Sequence, residues 1–447
     1  MLARFSFLFS TIIFIGLIGG SEICQAQEIV QNDVLQKISK LQEKSLTLSP
    51  DLKIVRHLRS QKGAESYTRL TNFLPQANFN IRRDKDFYED RNAQLRALGL
   101  GPFSSTWGID YEWTLLNYGS IQATRKTLSE KDKADLEISN KEKEYPITFN
   151  TNLLNFLLAK YKKAAVENSL QKAETGKREA KLGFMLGQKT KLDVLRSEAN
   201  LVSLDSKSTS YSDEVQNTRS KFLEYTGLEY YDLDFLELMN ETQILSLIHS
   251  ISIGAKKISP LNENPIFSKS PILEGLRLDE KINTISLANL TQAQWPVLKI
   301  QGNYRNAGNS ISESFNNPYR THTIGIVLTI PLFGSGNFIS SNFEEYFAKK
   351  QLEYTIAKKR LETQNDFSNT FIKINALGIL VNSLTLNVSQ FEELYRLTLK
   401  SYQLGKSTLL ELLEVQDSLL ESKISLAQNK IQFYTLSQNY LWQAGLQ

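Results

Sequence analysis

Few residues in this chain could carry out acid–base, nucleophilic or metal chemistry. Its 447 residues include three histidines and one cysteine. His57, His249 and His322 lie in separate segments, and none belongs to a nucleophile motif. A zinc finger, a thiol pair, a disulfide framework and a histidine-rich metal site are therefore excluded or nearly so. We expect no metal, no other cofactor and no enzymatic activity, which sets aside an exported hydrolase.

Phosphate and nucleic-acid binding are disfavoured as well. The stretch Gly334-Ser335-Gly336-Asn337 lacks the lysine and the spacing of a phosphate loop. Lys and Arg number 52 against 48 Asp and Glu, an excess of +4 that is too small to suggest a nucleic-acid footprint. Hydrophobic residues make up 41% of the chain, which fits a folded protein.

The N-terminus has the pattern of a secretory signal peptide over residues 1–26. A short basic start precedes an apolar run over residues 5–18, and Ala26 offers a small residue for cleavage. A lipid anchor at Cys24 is disfavoured, because glutamate and isoleucine precede it where acylated signals need small residues. No later segment has 18 consecutive apolar residues, so we expect no transmembrane helix. An exported chain of this kind can span a membrane only as a closed β-barrel.

The predicted helices and strands that would position any functional residue occur twice along the chain, as two copies of one repeat. Leu186-Gly187 recurs as Leu404-Gly405, Ser49-Pro50 as Ser270-Pro271, and Leu74-Pro75 as Trp295-Pro296. Each copy predicts a helix, two strands, a long polar helix, a glycine-containing turn and a second helix. We therefore predict two structural repeats, 27–228 and 271–447, joined by a linker at 229–270 whose fold the sequence does not indicate.

The predicted strands alternate between apolar and polar residues. Trp107, Ile109 and Tyr111 share one face, while Asp110 and Glu112 share the other. Strands are expected at about 74–83, 106–116, 296–304 and 321–331. This alternation is typical of a membrane barrel, although a soluble sheet on a helical core would show it too. Export and the aromatic residues on the apolar face favour the barrel. Four strands cannot close one, so three chains with 12 strands are expected.

The long helices indicate an elongated helical assembly. Helical hairpins are expected at 120–226 and 337–445, and each first helix of about 65 residues would be roughly 100 Å long. Pro146 predicts a kink in the first of them. Two adjacent heptad seams run along the last helix, beginning at Leu412 and Leu413, which favours packing against two neighbours as in a ring of coiled coils.

Taken together, these features resemble the TolC-like family of outer-membrane efflux and secretion channels over essentially the whole mature chain. The residues that carry the resemblance are Ser49-Pro50-Asp51-Leu52 with Leu74-Pro75, the strand-to-helix run 330–336, and the paired turns within 184–195 and 402–413. The resemblance implies a mixed α/β membrane protein: a homotrimer with a 12-strand β-barrel in the outer-membrane lipid, four strands per chain, continued by an α-helical coiled-coil tunnel in the periplasm. It also implies a periplasmic adaptor and an inner-membrane transporter as partners. A periplasm-spanning coiled-coil scaffold without a pore is the alternative.

The resemblance also implies functional positions at the two turns. Glu411 and Glu414 match the family's ring of acidic residues that selects cations, where aspartate is common. Without the resemblance, an ordinary solvated acidic face is the simpler interpretation. Asp193 and Tyr402 match the tip gate, in which Ser407 stands where the family has arginine and Lys406 is the substitute. Adaptor contacts are implied for two turns: Leu186, Gly187 and Gln188, and Leu404, Gly405 and Lys406.

Overall fold

The computed structural model describes residues 21–85, 103–252, 270–318, 320–332 and 336–446. Residues 1–20 of the predicted signal peptide lie outside this part of the chain. The α-helices are α1 Ser21–Leu48, α2 Pro50–Thr71, α3 Tyr118–Met185, α4 Lys191–Thr226, α5 Asp234–Glu237, α6 Glu241–Ser252, α7 Pro271–Ala288, α8 Ile311–Asn316, α9 Asn337–Gln403 and α10 Leu409–Gln443. The strands are β1 Gln76–Lys85, β2 Phe103–Asn117, β3 Val297–Gly308 and β4 Arg320–Thr329.

The chain divides into two compact units. The tip unit comprises the described residues within Met1–Leu48, Asn152–Ile253 and Tyr395–Ala427. The sheet unit comprises those within Ser49–Thr151, Gly254–Leu394 and Gln428–Gln447.

The sheet unit contains one four-stranded antiparallel sheet in the order β1-β2-β3-β4. Trp107 lies opposite Ile81 on one side and Asn306 on the other, and Ile300 lies opposite Ile326. Because side chains alternate along each strand, this register gathers the apolar residues on one face. Among the described residues, β1 and β4 each pair with a single strand, so both edges of the sheet are open in this part of the chain.

Helix α3 continues through Pro146 without a break. Proline supplies no amide for the helical ladder, and the Thr148 hydroxyl nearby donates to the Glu144 carbonyl at 3.5 Å. The kink predicted at Pro146 stays a prediction.

In the tip unit, the segment after α4 folds against the helices, which the sequence could not indicate. It forms a 3₁₀ turn, Tyr230–Leu233, followed by α5 and α6. Leu233 and Leu236 are 0% exposed. The guanidinium of Arg219, itself 2% exposed, binds the Glu237 carboxylate and donates to the Tyr230 carbonyl at 3.3 Å. Through these contacts the buried guanidinium joins the segment to α4.

The two longest helices differ in burial. Nine large apolar residues of α3 are at most 4% exposed: Tyr145, Ile147, Phe149, Leu153, Leu154, Phe156, Leu157, Tyr161 and Val166. In α9 only Ile356 and Ile374 are buried among its described residues. Twelve large apolar residues of α9 are exposed instead: Ile339, Phe343, Tyr346, Phe347, Tyr354, Leu361, Ile372, Ile379, Leu380, Leu386, Leu394 and Leu397.

Candidate functional site

The residues that the resemblance singles out lie at two turns of the tip unit. Tip turn 1, residues 186–190, joins α3 to α4, and tip turn 2, residues 404–408, joins α9 to α10. The six positions predicted to contact an adaptor are exposed in this chain. Leu186 and Leu404 are each 71% exposed, so each turn presents a bare apolar side chain.

Each tip turn is built around a glycine in the left-handed region. The φ angle is +74° at Gly187 and +71° at Gly405, a conformation that residues with a Cβ atom rarely adopt. No atom lies within 4 Å of the place where a Cβ would sit in either glycine. The backbone conformation, and not a lack of space, therefore requires glycine here.

The same backbone hydrogen bonds close both turns. In tip turn 1 the Gly187 amide donates to the Phe184 carbonyl at 3.0 Å, as the Gly405 amide does to the Tyr402 carbonyl at 3.0 Å. The next amide reaches the carbonyl five residues back, from Gln188 to Gly183 at 2.7 Å and from Lys406 to Ser401 at 2.8 Å. These bonds satisfy carbonyls that the end of a helix leaves without a partner.

An acidic residue caps the helix that follows each turn. The Thr190 hydroxyl accepts from the Asp193 amide at 3.2 Å, and the Asp193 carboxylate accepts from the Thr190 amide at 3.0 Å. Thr408 and Glu411 form the same reciprocal pair, with both distances 3.2 Å. This capping box joins two otherwise unpaired backbone amides to side chains at the start of α4 and of α10.

The hydrogen bonds at these caps favour ionised carboxylates. Bonds from the Thr190 amide and hydroxyl lower the pKa of Asp193. The Ser407 hydroxyl, at 2.7 Å, and then the Thr408 amide lower the pKa of Glu411. Glu411, predicted to be part of the selectivity ring, therefore lies against its own turn.

Glu414 has a different setting from Glu411. It is exposed one turn further along α10, clear of the cap. Asp417 follows on the same helix, and burial raises its pKa while nearby Lys207 opposes that shift. Of the two predicted ring residues, Glu414 is the one whose carboxylate the capping box does not use.

The predicted gate residues are not joined to one another within this chain. Asp193 binds Thr190, while Tyr402 is contacted by Lys189, a residue that the sequence analysis did not single out. The Lys189 ammonium donates to the Tyr402 hydroxyl and lies 4.0 Å from the centroid of its ring. Lys406, the predicted substitute for the family's arginine, contributes the backbone bond of tip turn 2.

A cavity of about 800 Å³ lies within the tip unit beside these residues. Tyr402 and Tyr395 line it, and the Lys172 ammonium lies 5.7 Å from the centroid of the Tyr395 ring. Its other polar lining comes largely from amide side chains: Asn168, Gln171, Asn200, Gln403 and Gln416. The cavity is thus walled by residues of both hairpins.

In the sheet unit, the two faces of the sheet have opposite character. The apolar face carries aromatic residues, with Trp107 stacked on Phe315 at a centroid distance of 5.0 Å. On the polar face Asp110 pairs with Arg305 at 3.1 Å, and Glu112 pairs with Lys299 at 2.8 Å. A sheet with one lipid-compatible face and one charged face is the pattern of a membrane barrel wall.

One described helix, α9, is long and apolar enough to cross a membrane by length and composition alone. The expectation of no transmembrane helix rested on runs of consecutive apolar residues, and polar residues interrupt this stretch of α9. Only 6% of its most apolar 18 residues is buried. The described residues contain no group of three or more His, Cys, Asp or Glu side chains placed to hold a metal ion.

Comparison with known proteins gives concordant results. Residues 286–440 match the family model of the outer membrane efflux protein. The alkaline protease secretion protein AprF of Pseudomonas aeruginosa is 22% identical over 371 residues, which cover 81% of this chain and 72% of AprF.

Solved structures show the same fold at low sequence identity. The CmeC outer membrane channel of Campylobacter jejuni has a TM-score of 0.73 at 13% identity, covering 92% of this chain and 85% of CmeC. The MtrE outer membrane channel of Neisseria gonorrhoeae, in its open state, has a TM-score of 0.70 at 13% identity, covering 92% of this chain and 90% of MtrE. The resemblance to TolC-like outer-membrane efflux channels is confirmed, and these similar structures are channels.

Proposed function

We propose that this TolC-like outer-membrane protein assembles as a homotrimer and forms the exit channel of a tripartite efflux or type I secretion system. Substrates would pass through it unchanged, from an inner-membrane transporter and a periplasmic adaptor to the outside. The observation that carries the proposal is a sheet of four strands that has an apolar face and two open edges.

The open edges explain why one chain is insufficient. Unpaired amides and carbonyls of β1 and β4 could not be satisfied within hydrocarbon, where each costs several kcal/mol. Three copies would place β4 of one chain beside β1 of the next and close a barrel of 12 strands. The apolar face would then meet lipid, and the polar face with Asp110 and Glu112 would line the lumen.

The surface of α9 supports the same assembly. Its exposed residues include Ile379 at 70% and Leu386 at 65% exposure, seven residues apart and hence on one side of the helix. Contiguous exposed apolar surface of this kind marks an interface. We infer that neighbouring copies cover it, as in a helical tunnel below the barrel, and that α9 does not cross a membrane by itself.

The tip turns are the proposed contact for the adaptor. Leu186 and Leu404 expose apolar side chains on turns of equal backbone geometry, so one kind of adaptor element could bind both. AprF, a secretion protein by name, supports a secretion role, and the family model supports efflux. Both roles need the same exit channel.

The first experiment is the protein mass of the particle extracted from outer membranes in gentle detergent. We expect three chains per particle and, in planar bilayers, an ion-conducting pore. A monomeric particle would overturn the exit-channel proposal. A trimer without conductance would favour a periplasm-spanning coiled-coil scaffold.

Cation selectivity is proposed to arise at the start of α10, just after tip turn 2, from three copies of Glu414 with Glu411 beside them. Because the capping box holds Glu411, we expect Glu414→Gln to reduce the selectivity more than Glu411→Gln. The measurement is the reversal potential across a salt gradient in planar bilayers. Equal selectivity in wild type and in both variants would remove the ring assignment.

A further inference from the structure

Two arginines lie on the apolar face of the sheet, toward one end of its outermost strands. Arg83 of β1 is paired with Ser105, and Arg320 of β4 is paired with Asn306. Paired residues share a face, and Trp107 is two residues from Ser105 and directly opposite Asn306. Both arginines are exposed. The face that is proposed to meet lipid therefore carries positive charge at one end.

The cations on the two faces of the sheet are partnered differently. On the polar face the Arg82 guanidinium binds the Asp84 carboxylate at 2.8 Å. On the apolar face neither Arg83 nor Arg320 makes an ion pair with any described residue. The carboxylate of α8, Glu313, accepts from a backbone amide of its own turn at 3.0 Å. The acidic residues of the described strands all lie on the polar face: Asp84, Asp110 and Glu112.

Lys85 and Arg83 form one cluster at the end of β1. Both residues contact the ring of Phe103, which is paired with Lys85 at the start of β2. The Arg83 guanidinium lies 4.8 Å from the ring centroid, and the Lys85 ammonium lies 5.5 Å from it. Two like charges held against one ring repel each other, and an anion bound between them would relieve that repulsion.

These cations lie at the outer border of the proposed membrane-spanning band. The helices α2 and α9 join β1 and β4 at the opposite ends of these strands. Eight residues of β4 separate Leu328 from Arg320, about 27 Å along the strand, or about 20 Å across the membrane at the usual barrel tilt. The apolar band of a membrane barrel is about 25 Å tall, so a long side chain at Arg320 reaches the lipid headgroups.

We propose that Arg83, Lys85 and Arg320 bind the phosphate groups of a glycolipid in the outer leaflet of the outer membrane. The inference rests on the proposed barrel, which places this face against lipid. A guanidinium binds phosphate oxygens through two parallel hydrogen bonds, and an ammonium adds a further charge. The acyl chains of the lipid would lie along Ile81 and Ile324, which are 52% and 69% exposed.

The proposed closure of the barrel completes each site from two chains. With β4 of one chain beside β1 of the next, Arg320 of one copy lies along the same seam as Arg83 and Lys85 of its neighbour. A trimer has three such seams, so we expect three phosphate-binding sites per particle.

The test is native mass spectrometry of the detergent-extracted protein with lipid A, a glycolipid that carries two phosphate groups. We expect up to three bound lipids per trimer, and about tenfold weaker binding of lipid A that has lost its phosphates. Arg83→Gln with Lys85→Gln, and separately Arg320→Gln, should each weaken the binding of phosphorylated lipid A about tenfold. Arg82→Gln removes an equal charge from the polar face and should leave lipid binding unchanged.

The same spectra report the number of chains in each variant, so loss of binding is separated from loss of assembly. Equal binding of the two forms of lipid A, or wild-type binding by both apolar-face variants, would overturn the lipid site while conducting trimers leave the exit channel intact. Displacement of lipid A by millimolar inorganic phosphate would assign the cations to a free anion and overturn it too. If the particle is a monomer whose lipid A binding still requires Arg83 and Lys85, the exit-channel proposal fails and the lipid site stands.

Discussion

The hairpin of α3 and α4 and the hairpin of α9 and α10 are alike at their turns and unlike along their first helices. Both turns have a left-handed glycine, the same closing hydrogen bonds and the same threonine–acid cap. Yet α3 buries a continuous row of large apolar side chains, while α9 leaves most of its own exposed.

The difference shows that the geometry of a turn and the burial of a helix surface are determined by different parts of the molecule. A turn and its cap are settled by about ten consecutive residues, so two copies with similar local sequence adopt one geometry. The surface of a helix is settled by what packs against it. α3 finds its partners within the chain, and α9 is proposed to find them in other copies.

The largest effect should come from charging the exposed side of α9. Ile379→Glu with Leu386→Glu would place charges in the proposed interface, so the trimer should be lost while the helical content of the chain remains. The measurement is the mass of the detergent-extracted particle together with circular dichroism. The control Ile379→Val with Leu386→Met keeps the apolar surface and should keep the trimer. A charged variant that stays trimeric would show that this side of α9 does not lie between chains.

On α3 the corresponding substitution is at a buried residue that packs within its own chain. Leu157 is 0% exposed, so Leu157→Ala should lower the free energy of unfolding by about 2–5 kcal/mol through lost burial and a cavity. Denaturant unfolding, followed by circular dichroism, measures it. A loss below about 0.5 kcal/mol, as for an exposed site, would contradict the packing of α3.

The likeness of the two caps can be tested by removing each threonine. Thr190→Ala and Thr408→Ala should each destabilise their helix start by about 1 kcal/mol, because each removes the acceptor for one backbone amide. Hydrogen exchange of the Asp193 and Glu411 amides measures this. Faster exchange at one cap and not at the other would show that the two turns differ in energy despite their equal geometry.

The smallest expected effect is the loss of the stabilisation from the two helix caps at low pH. Because the folded pKa values of Asp193 and Glu411 are lowered, their contribution is present above the ordinary values of 3.8 and 4.5 and is lost as pH falls through the lowered ones. Pepsin, which is active in acid, should then cut at both tip turns. The Asp193→Asn and Glu411→Gln variants should be cut to the same extent over a wider pH range. Cutting that is independent of pH in the wild type would contradict this.

Local features of the tips could be predicted from the sequence, and the contact between Lys189 and Tyr402 could not. Gly187 and Gly405 mark the turns because a helix ends most easily at glycine. The threonine–acid spacing of the two caps fits a capping box before a helix, a local pattern that the sequence analysis did not single out. Lys189 gave no such signal, because its partner is remote in sequence. The one available hint was Gly183, where the second copy has serine and where a Cβ would lie 2.5 Å from Lys189 Cγ.

In the fold, too, local patterns could be predicted from the sequence, while contacts between distant residues could not. The alternation of β2 indicated which residues share a face, and the register brings Trp107 and Ile109 onto that face. The segment after α4 was unreadable because Arg219 and Glu237 hold it through contacts that no local pattern encodes. Neither a local sequence pattern nor the contacts within one chain show the trimer. The proposal of a trimer rests on the open edges of the sheet.

The ion pairs across β2 and β3 have a consequence for transport. Two anions on the polar face each pair with a cation on the next strand, Asp110 with Arg305 and Glu112 with Lys299. Such neighbours cancel beyond a few ångströms, so a dissolved molecule on that side would meet local dipoles and little long-range field. In the proposed pore, the barrel would be a neutral outlet that admits solutes of either sign. Discrimination by charge would then be made once, at the proposed ring of Glu414 and Glu411.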